Sequence, residues 1–215
     1  EITVFLISND QVFFIDPDNN NNEQTGSFDY PFSSWKQVEW LEDAYYYQKN
    51  GTKTVEDKLL VTANNVTIGS YGQGKRPIIE SNANDYAIRL FDKINVTIKD
   101  LHINADNAIA CISFMGSECD EGIIENCYLE GAEYGLRLID GKSFSIKYSI
   151  FENEVDGIYS YAEHIEVYYN IFKGLSKAVN ISSYESSAKV YNNVFYDNEQ
   201  GVSTTHAELV VYNNI

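Results

Sequence analysis

The chain is poor in basic side chains. Its 215 residues include 15 Lys and Arg against 32 Asp and Glu, which gives a formal net charge of −17. A surface of this sign repels nucleic acid and anionic lipid, and so argues against both as partners. No run of about 18 apolar residues occurs, so we expect no membrane span. A polyanionic polysaccharide would need a bridging cation or a locally basic strip.

Cysteine and methionine are also scarce, with three and one residues. Cys111, Cys119 and Cys127 are odd in number and form no Cys-x-x-Cys motif, which argues against zinc. Two interpretations stay open: buried small residues, or a disulfide that involves Cys119. The three histidines share no repeat position, so we expect no catalytic or metal cluster of histidines.

The sequence contains a repeated motif of aliphatic, aromatic and asparagine residues. Its clearest copies are residues 167–172, 190–195 and 211–215. Equivalent positions 68, 98, 124, 146, 167, 190 and 211 are 30, 26, 22, 21, 23 and 21 residues apart. A period of 21 to 23 residues fits one coil of a parallel β-helix, which has three short strands and three bends.

Leucine-rich repeats have a similar period but need a Leu-x-x-Leu-x-Leu framework. Here the inward positions are Ile, Val and Phe, which favour strands. No segment inside a repeat has the length or spacing of a helix. The sequence therefore predicts an all-β solenoid.

Asparagine and aromatic residues recur at fixed places in the coil. Asn170, Asn193 and Asn214 mark a bend, with Ser149 and Cys127 at the equivalent earlier positions. Asn tolerates the left-handed conformation of a tight bend, and amides stacked about 4.8 Å apart can bond coil to coil. The pattern thus predicts an internal asparagine ladder.

An inner aromatic stack follows the ladder in each of three coils. It is formed by Phe151, Phe172 and Phe195. A small residue comes six positions later and opens another strand.

With these repeats the sequence resembles the right-handed parallel β-helix superfamily, which includes pectate and alginate lyases, polysaccharide epimerases and non-enzymatic surface proteins. The resemblance covers residues 12–215 and implies a right-handed solenoid. The N-terminal strand, the Asn-rich loop and the Gly-Ser and Pro-Phe pairs that follow are similar to the start of secreted members. A location outside the cell or on its surface is therefore expected.

A capping α-helix is predicted before the first coils. Ser34 to Gln37 fit a capping box, and Trp35, Val38, Leu41 and Tyr45 fall on one helical face, with Gly51 ending the helix. Residues 1–57 would form the strand, loop and cap, and residues 58–215 the coils of the same domain. Because no polar cap follows the last repeat, we expect a longer chain or other protein subunits at that end.

Calcium is the one cofactor for which the sequence offers ligands. Asp16, Asp18 and Asn20 place oxygen atoms at alternate positions of a loop, as calcium requires. The Gly and the distal Glu of an EF-hand loop are missing, so a solvated turn is the alternative.

Four Asn-x-Ser/Thr sequons mark candidate glycosylation sites. Their asparagines are Asn50, Asn65, Asn95 and Asn180. The motif is frequent by chance in a chain rich in Asn, Ser and Thr, so occupancy stays open.

A lyase is implied only by the resemblance, since those enzymes use an Arg or Lys base on the first-strand face together with calcium or basic groups. The outward residues expected on that face are Arg89, Ala110, Arg137, Tyr159, Asn180 and Ser203. Arg137 beside Tyr159 is the arrangement that resembles a base with a neighbouring hydroxyl. The alternative is an exposed Arg137 paired with nearby acids.

Tyr168, Tyr191 and Tyr212 are expected to face outward on successive coils. Such a strip can stack on sugar rings, contact another subunit or shield the surface under a loop. Together with Tyr159 and Asn180, these tyrosines form the predicted binding surface.

The sequence favours a non-catalytic β-helix that is a structural or adhesive part of a surface assembly or filament, with polysaccharide contact as an open addition. The alternative is a calcium-dependent lyase or epimerase acting on uronate polymers.

Overall fold

Short strands and tight bends alternate along the described chain, residues 11–152, 155–183, 186–205 and 207–215 of a computed structural model. The strands build a right-handed parallel β-helix of about seven turns, as predicted. Three parallel sheets run along its length. Each of the seven complete coils contributes one strand to each sheet, and sheet A has one further strand at each end.

Sheet A has nine strands: β1 (Gln11–Ile15), β2 (Ala44–Lys49), β5 (Thr67–Tyr71), β8 (Thr97–Lys99), β11 (Gly122–Glu125), β14 (Ser143–Lys147), β17 (His164–Tyr168), β20 (Ser187–Tyr191) and β23 (Glu208–Tyr212). Sheet B has seven: β3 (Lys53–Glu56), β6 (Ile78–Ser81), β9 (His102–Asn104), β12 (Tyr128–Glu130), β15 (Ile150–Glu152), β18 (Ile171–Lys173) and β21 (Val194–Tyr196). Sheet C has seven: β4 (Leu59–Val61), β7 (Tyr86–Phe91), β10 (Ala110–Met115), β13 (Tyr134–Ile139), β16 (Asp156–Ser160), β19 (Lys177–Ile181) and β22 (Gln200–Thr204).

The register between coils confirms the repeat alignment. Ile146 pairs with Val167, and Val167 pairs with Val190. The same register continues upstream to Ile68 and downstream to Val211. Because equivalent residues lie directly above one another, an apolar position in one coil becomes a continuous apolar column inside the solenoid.

The predicted phenylalanine stack lies inside sheet B. Ring centroids are 4.8 Å apart for Phe151 and Phe172 and 5.3 Å apart for Phe172 and Phe195, with the planes nearly parallel. The small residue that follows the stack is also required by packing, because a Cβ at Gly157 would lie 2.6 Å from the Ala178 carbonyl oxygen. Both features are consequences of coils stacked at strand spacing.

The asparagine ladder is confirmed at the bend between sheets A and B. Asn170 Nδ2 donates to Asn193 Oδ1 at 3.1 Å, and Asn193 Nδ2 donates to Asn214 Oδ1 at 3.0 Å. Asn170 Nδ2 also donates to the Ile146 carbonyl at 2.9 Å. Further down, Ser149 takes the equivalent position and accepts from the amide N–H of Cys127. The ladder thus satisfies buried backbone groups that a bend would otherwise leave unpaired.

The conformation assigned to the ladder residues was wrong. The left-handed residue lies one position earlier, at Tyr148, Tyr169, Asn192 and Asn213, with φ between 53° and 57°. The bend turns there, and the next residue points its amide inward. The bend thus uses two residues: the first adopts the left-handed conformation, and the second supplies the ladder side chain.

The predicted N-terminal α-helix was also wrong. The capping box exists, but it opens a single 3₁₀ turn, Trp35–Gln37. The residues that follow form strand β2, in which Ala44, Tyr46 and Gln48 are buried in alternation. A run of three tyrosines favours a strand, and pairing with β1 and β5 on both sides outweighs the helical spacing of apolar residues.

The 3₁₀ turn is nevertheless held against the first coil. Trp35 is 2% exposed, and its indole N–H donates to Gln48 Oε1 at 2.7 Å. The Glu56 carboxylate accepts from the Ser34 hydroxyl at 3.2 Å. Strand β1 pairs with β2 in sheet A, so this N-terminal segment is continuous with the coils. No helix in the described part of the chain has the length and apolar character needed to cross a membrane.

Replacing a ladder asparagine should destabilise the solenoid. In Asn170→Ala the Ile146 and Tyr168 carbonyls lose their amide donor in a buried place, and we expect unfolding to become easier by about 2–3 kcal/mol. Urea unfolding followed by circular dichroism measures this change. The exposed Asn82→Ala is the matched control, expected to stay within about 0.5 kcal/mol of the parent chain. Equal stability of both variants would contradict a structural role for the ladder.

Candidate functional site on the outer face of sheet C

A row of polar side chains runs across the coils on the outer face of sheet C. Successive register pairs join Arg89, Ser113, Arg137, Tyr159 and Asn180. Three of these five residues were predicted as binding or catalytic candidates, and the fold brings those three together on adjacent strands.

Ala110 was assigned to this row wrongly. It pairs with Tyr86 and Tyr134 at the start of the strand, and Ser113 pairs with Arg89 and Arg137 in its place. The sequence shows six consecutive strand residues without polar alternation at β10, so it gave no basis for choosing the outward residue.

Tyr86 joins the two arginines. The Arg137 guanidinium donates through Nη1 to the Tyr86 hydroxyl at 2.9 Å, across the intervening strand β10. The guanidinium carbons of Arg89 and Arg137 each lie 5.8 Å from the centre of the Tyr86 ring. Both contacts use the guanidinium groups as cations. The cluster is therefore held in place before any ligand binds.

Two buried polar atoms of this cluster have no hydrogen-bond partner among the described residues. They are Arg89 Nε and Ser113 Oγ. Ser113 is fully buried between the two arginines with which it is in register. Buried polar groups are nearly always paired, and each exception calls for an explanation. Both atoms are covered by the surrounding side chains, so they mark an unpaired polar position within the arginine cluster.

Aromatic side chains continue the row beyond Arg137. The Tyr134 and Tyr159 ring centres are 5.0 Å apart, and the Tyr159 hydroxyl donates to the Tyr161 hydroxyl at 2.8 Å. Burial, followed by the hydrogen bond with Tyr161, raises the pKa of Tyr159 to about 12. Burial, followed by the nearby Glu133 carboxylate, raises the pKa of Tyr134 to about 12. Both phenols are therefore protonated at neutral pH and serve as donors.

Asp156 and Asn180 form the far end of the site. Both are buried, and Asn180 Nδ2 donates to Asp156 Oδ2 at 2.8 Å. Two aromatic side chains near the row are exposed to solvent: Phe91 is 50% exposed and Tyr161 is 39% exposed. The face thus combines cationic donors, neutral hydroxyls, a carboxylate and two exposed rings.

This arrangement is suited to binding and poorly suited to proton abstraction. Arg137 is held as a donor to Tyr86, and the phenols are protonated. A general base must instead present a lone pair toward the substrate. Sequence reasoning missed Ser113, because its place in the row follows from the register of β10. It missed Tyr86, because that side chain reaches Arg137 across the intervening strand.

The tyrosine strip on sheet A is a ladder of stacked rings. Centroid distances are 5.1 Å for Tyr168 and Tyr191 and 4.9 Å for Tyr191 and Tyr212, with the planes within 1° of parallel. Both faces of Tyr191 are thus covered by its neighbours. Since sugars stack on open ring faces, the geometry favours shielding, and sugar binding by this strip stays a prediction.

The predicted calcium loop already holds a cation from the protein. Asp16 Oδ2 lies 2.7 Å from Lys49 Nζ. Asp16 Oδ1 accepts from the amide of Asp18, and the Asn20 side chain donates to the Asp18 carbonyl. A calcium ion there would have to displace Lys49, and the calcium prediction stays a prediction.

The four sequon asparagines differ in their surroundings. Asn65 and Asn95 are exposed, and the Asn95 amide donates to Asn65 Oδ1 at 3.2 Å. Asn50 donates to the Gly72 carbonyl at 2.8 Å, and Asn180 is 7% exposed. Glycosylation stays a prediction, and the exposure of the acceptor amide favours Asn65 and Asn95.

The three cysteines are all buried and free, as the first of the two interpretations expected. Cys127 lies in the ladder, where its amide donates to Ser149 Oγ. Burial raises the pKa of Cys111 and of Cys127 to about 12, so both stay as thiols.

The chain matches the model of the family described as periplasmic copper-binding protein (NosD) over residues 9–214. Among curated proteins no match was found.

The described residues do not fit a copper site. No group of three His, Cys, Asp or Glu side chains comes together within them. Copper favours thiolate, thioether and imidazole ligands. Here two of the three thiols have a pKa raised to about 12 by burial, and the chain has a single methionine, Met115.

Among solved structures, the chain is similar to the lacto-N-biosidase of glycoside hydrolase family 136 from Eubacterium ramulus. For the native protein the TM-score is 0.69 at 11% identity, covering 95% of this chain and 55% of that one. The selenomethionine derivative gives 0.66 at 12% identity, with 94% and 52% coverage. The chain therefore spans about half the length of that enzyme, and at this identity the similarity shows the fold.

A second match is the surface protein and adhesin PfbA of Streptococcus pneumoniae. Its TM-score is 0.47 at 12% identity, covering 93% of this chain and 72% of that one.

The raised phenol pKa values predict a loss of stability in alkali. From pH 10 to pH 12 the unfolded chain loses phenolic protons that the folded chain keeps on Tyr134 and Tyr159, so stability falls as pH rises. In Tyr159→Phe we expect this fall to be less steep. An ultraviolet titration of the folded protein should also lose part of its highest phenolate step.

The exposed Tyr196→Phe is the control, and it should leave that highest step unchanged. If Tyr159→Phe and Tyr196→Phe gave the same titration, the buried, hydrogen-bonded position of Tyr159 would be wrong.

Proposed function

Because this chain belongs to the family described as periplasmic copper-binding protein (NosD), we propose that it is a β-helix protein of the cell exterior or periplasm that binds saccharide chains without cleaving them. Sheet C is the proposed binding face. The role is adhesive or structural, and a contact with further protein subunits of a surface assembly remains part of the prediction made from the sequence.

The observation that carries this proposal is the outer row of sheet C. Two of the three arginines of a strongly acidic chain lie there, around one tyrosine ring and on either side of the unpaired hydroxyl of Ser113. Saccharides present many hydroxyls and flat C–H faces. Fixed planar donors beside exposed aromatic rings match both, because the donors orient the hydroxyls and the rings cover the C–H faces.

A saccharide chain also suits the length of the face. The row runs across successive coils, with exposed rings at Phe91 on β7 and Tyr161 just after β16. A linear ligand lying along the solenoid axis would contact several coils at once. Its orientation would be set by Arg137, which is held near the middle of the row.

The alternative, a calcium-dependent lyase or epimerase, has less support from this face. It requires a base that removes a proton next to a carboxylate, and a cation that stabilises the resulting charge. The Arg137 guanidinium is bonded to Tyr86, and Asp156 is bonded to Asn180. Binding without cleavage uses these groups as they are arranged.

The proposal is tested by glycan binding with sheet C variants. The chain is first screened on an array of neutral and acidic glycans, and the best ligand is then titrated by calorimetry. Arg137→Ala should weaken binding at least about tenfold, because it removes a charge-assisted donor from the middle of the row. Arg137→Lys should restore only part of the affinity, since it lacks the planar fork.

Lys173→Ala is the matched control, because it removes an exposed cation from sheet B, away from the row. Thermal unfolding of each variant checks that the fold is kept. Absence of glycan binding, or equal affinities of Arg137→Ala and Lys173→Ala, would contradict the proposal. New reducing ends or unsaturated products would support the enzymatic alternative instead.

A further inference from the structure

We propose that a second site, separate from sheet C, binds an oxyanion: a carboxylate, sulfate or phosphate group. The site is a groove of about 410 Å³ where sheets A and B meet near the N-terminal end. Its lining includes Lys53, Lys75, Arg76, His102 and Tyr128. A volume of this size accommodates a small molecule or one or two sugar units.

The charge of this groove is opposite to that of the chain. Lys and Arg make up 15 of 215 residues, yet three of them line this one groove, and no Asp or Glu does. Two of the three, Lys75 and Arg76, have no carboxylate partner among the described residues. In a protein of net charge −17, these two cations without a carboxylate partner are the groups of the groove that can pair with an anion.

Acidic groups around the groove are already bonded to other partners. Glu80 pairs with Lys53, and Glu130 Oε1 lies 2.7 Å from His102 Nε2. Asp100 accepts from the Asn126 amide at 2.7 Å, and Asn126 in turn accepts from Arg76 through its oxygen. Arg76 is thus oriented by a neutral amide and forms no direct ion pair with Asp100.

The loop that carries the two cations is fixed to the solenoid. Gly51 donates its amide to the Lys75 carbonyl at 2.8 Å, and the Asn50 side chain donates to the Gly72 carbonyl at 2.8 Å. The loop turns through left-handed glycines at positions 72 and 74, with φ of 81° and 125°. These bonds hold the backbone of Lys75 beside the groove without help from a ligand.

The opposite wall of the groove is also held by side-chain contacts. The His102 and Tyr128 rings are stacked with centres 4.5 Å apart, and the Tyr128 hydroxyl donates to Glu152 Oε2 at 2.8 Å. An oxyanion between this wall and the loop would meet the ammonium of Lys75 and the guanidinium of Arg76. Guanidinium and ammonium groups are the side chains that proteins use for carboxylate, sulfate and phosphate.

Calorimetry at low ionic strength tests the proposal with three probes. An oligogalacturonate carries carboxylates on a sugar chain, its fully methyl-esterified form carries none, and inorganic sulfate and phosphate are free oxyanions. We expect binding of the oligogalacturonate or of the inorganic anions, no groove binding of the ester, and weaker binding at higher salt.

Variants assign the binding to the groove. Arg76→Gln should weaken it about tenfold and Lys75→Gln about threefold, since the lysine is exposed and its charge is partly screened. Lys142→Gln removes an exposed charge outside the groove and should have no effect. The Lys75 side chain has no hydrogen bond or ion pair among the described residues, so Lys75→Gln should fold like the parent chain. It therefore tests the groove even if Arg76→Gln is destabilised.

The outcomes distinguish an acidic saccharide from a free anion as the ligand, and the groove from sheet C as the site. Oligogalacturonate binding that both groove variants weaken supports an acidic saccharide as the source, and the same effect on sulfate or phosphate supports a free anion. Binding that Arg137→Ala removes and the groove variants leave intact belongs to sheet C and overturns the groove site. Absence of binding by all probes, or equal effects of Lys75→Gln, Arg76→Gln and Lys142→Gln, overturns it as well.

Discussion

Parallel, in-register pairing between coils is the constraint on which the rest of this structure depends. Every strand pairs with the equivalent strand of the next coil, so each side chain lies over its counterpart one strand spacing away. Inside the solenoid this rule requires side chains that tolerate stacking on themselves. Isoleucine and valine columns, the phenylalanine stack and the asparagine ladder are three ways to meet it. Outside the solenoid the same rule aligns polar side chains into rows.

The outer rows of sheets A and C differ in whether neighbouring coils carry identical side chains. On sheet A, Tyr168, Tyr191 and Tyr212 turn their ring faces toward one another, so their aromatic surface is used within the protein. On sheet C the residues of the row differ from coil to coil, and the guanidinium groups of Arg89 and Arg137 contact Tyr86 and leave polar atoms unpaired. Identical neighbours thus stack on one another, whereas the unlike neighbours of sheet C form a mixed row of cations, hydroxyls and rings. This difference is the reason for which we propose sheet C as the binding face.

The repeat in the sequence was sufficient to predict the coil, because columns such as Ile124, Ile146 and Val167 must be apolar in every turn. It also predicted that Arg137, Tyr159 and Asn180 would be neighbours, since they share a repeat position. It failed where the repeat is irregular. The Trp35 segment has helical spacing but is followed by strand β2, whose pairing on both sides is not visible locally. Ser113 was missed because β10 is buried throughout most of its length and shows no polar alternation.

The in-register coils also place surface groups at regular intervals along the solenoid axis. Each turn advances every surface row by one strand spacing of about 4.8 Å, so distances between groups of one row are multiples of a fixed unit. A flexible ligand can adjust to any arrangement of sites, but a stiff repeating polymer keeps contact along a row only if its own repeat is commensurate with that unit. Selectivity among polymers can therefore arise from periodicity, in addition to the chemistry of any single contact.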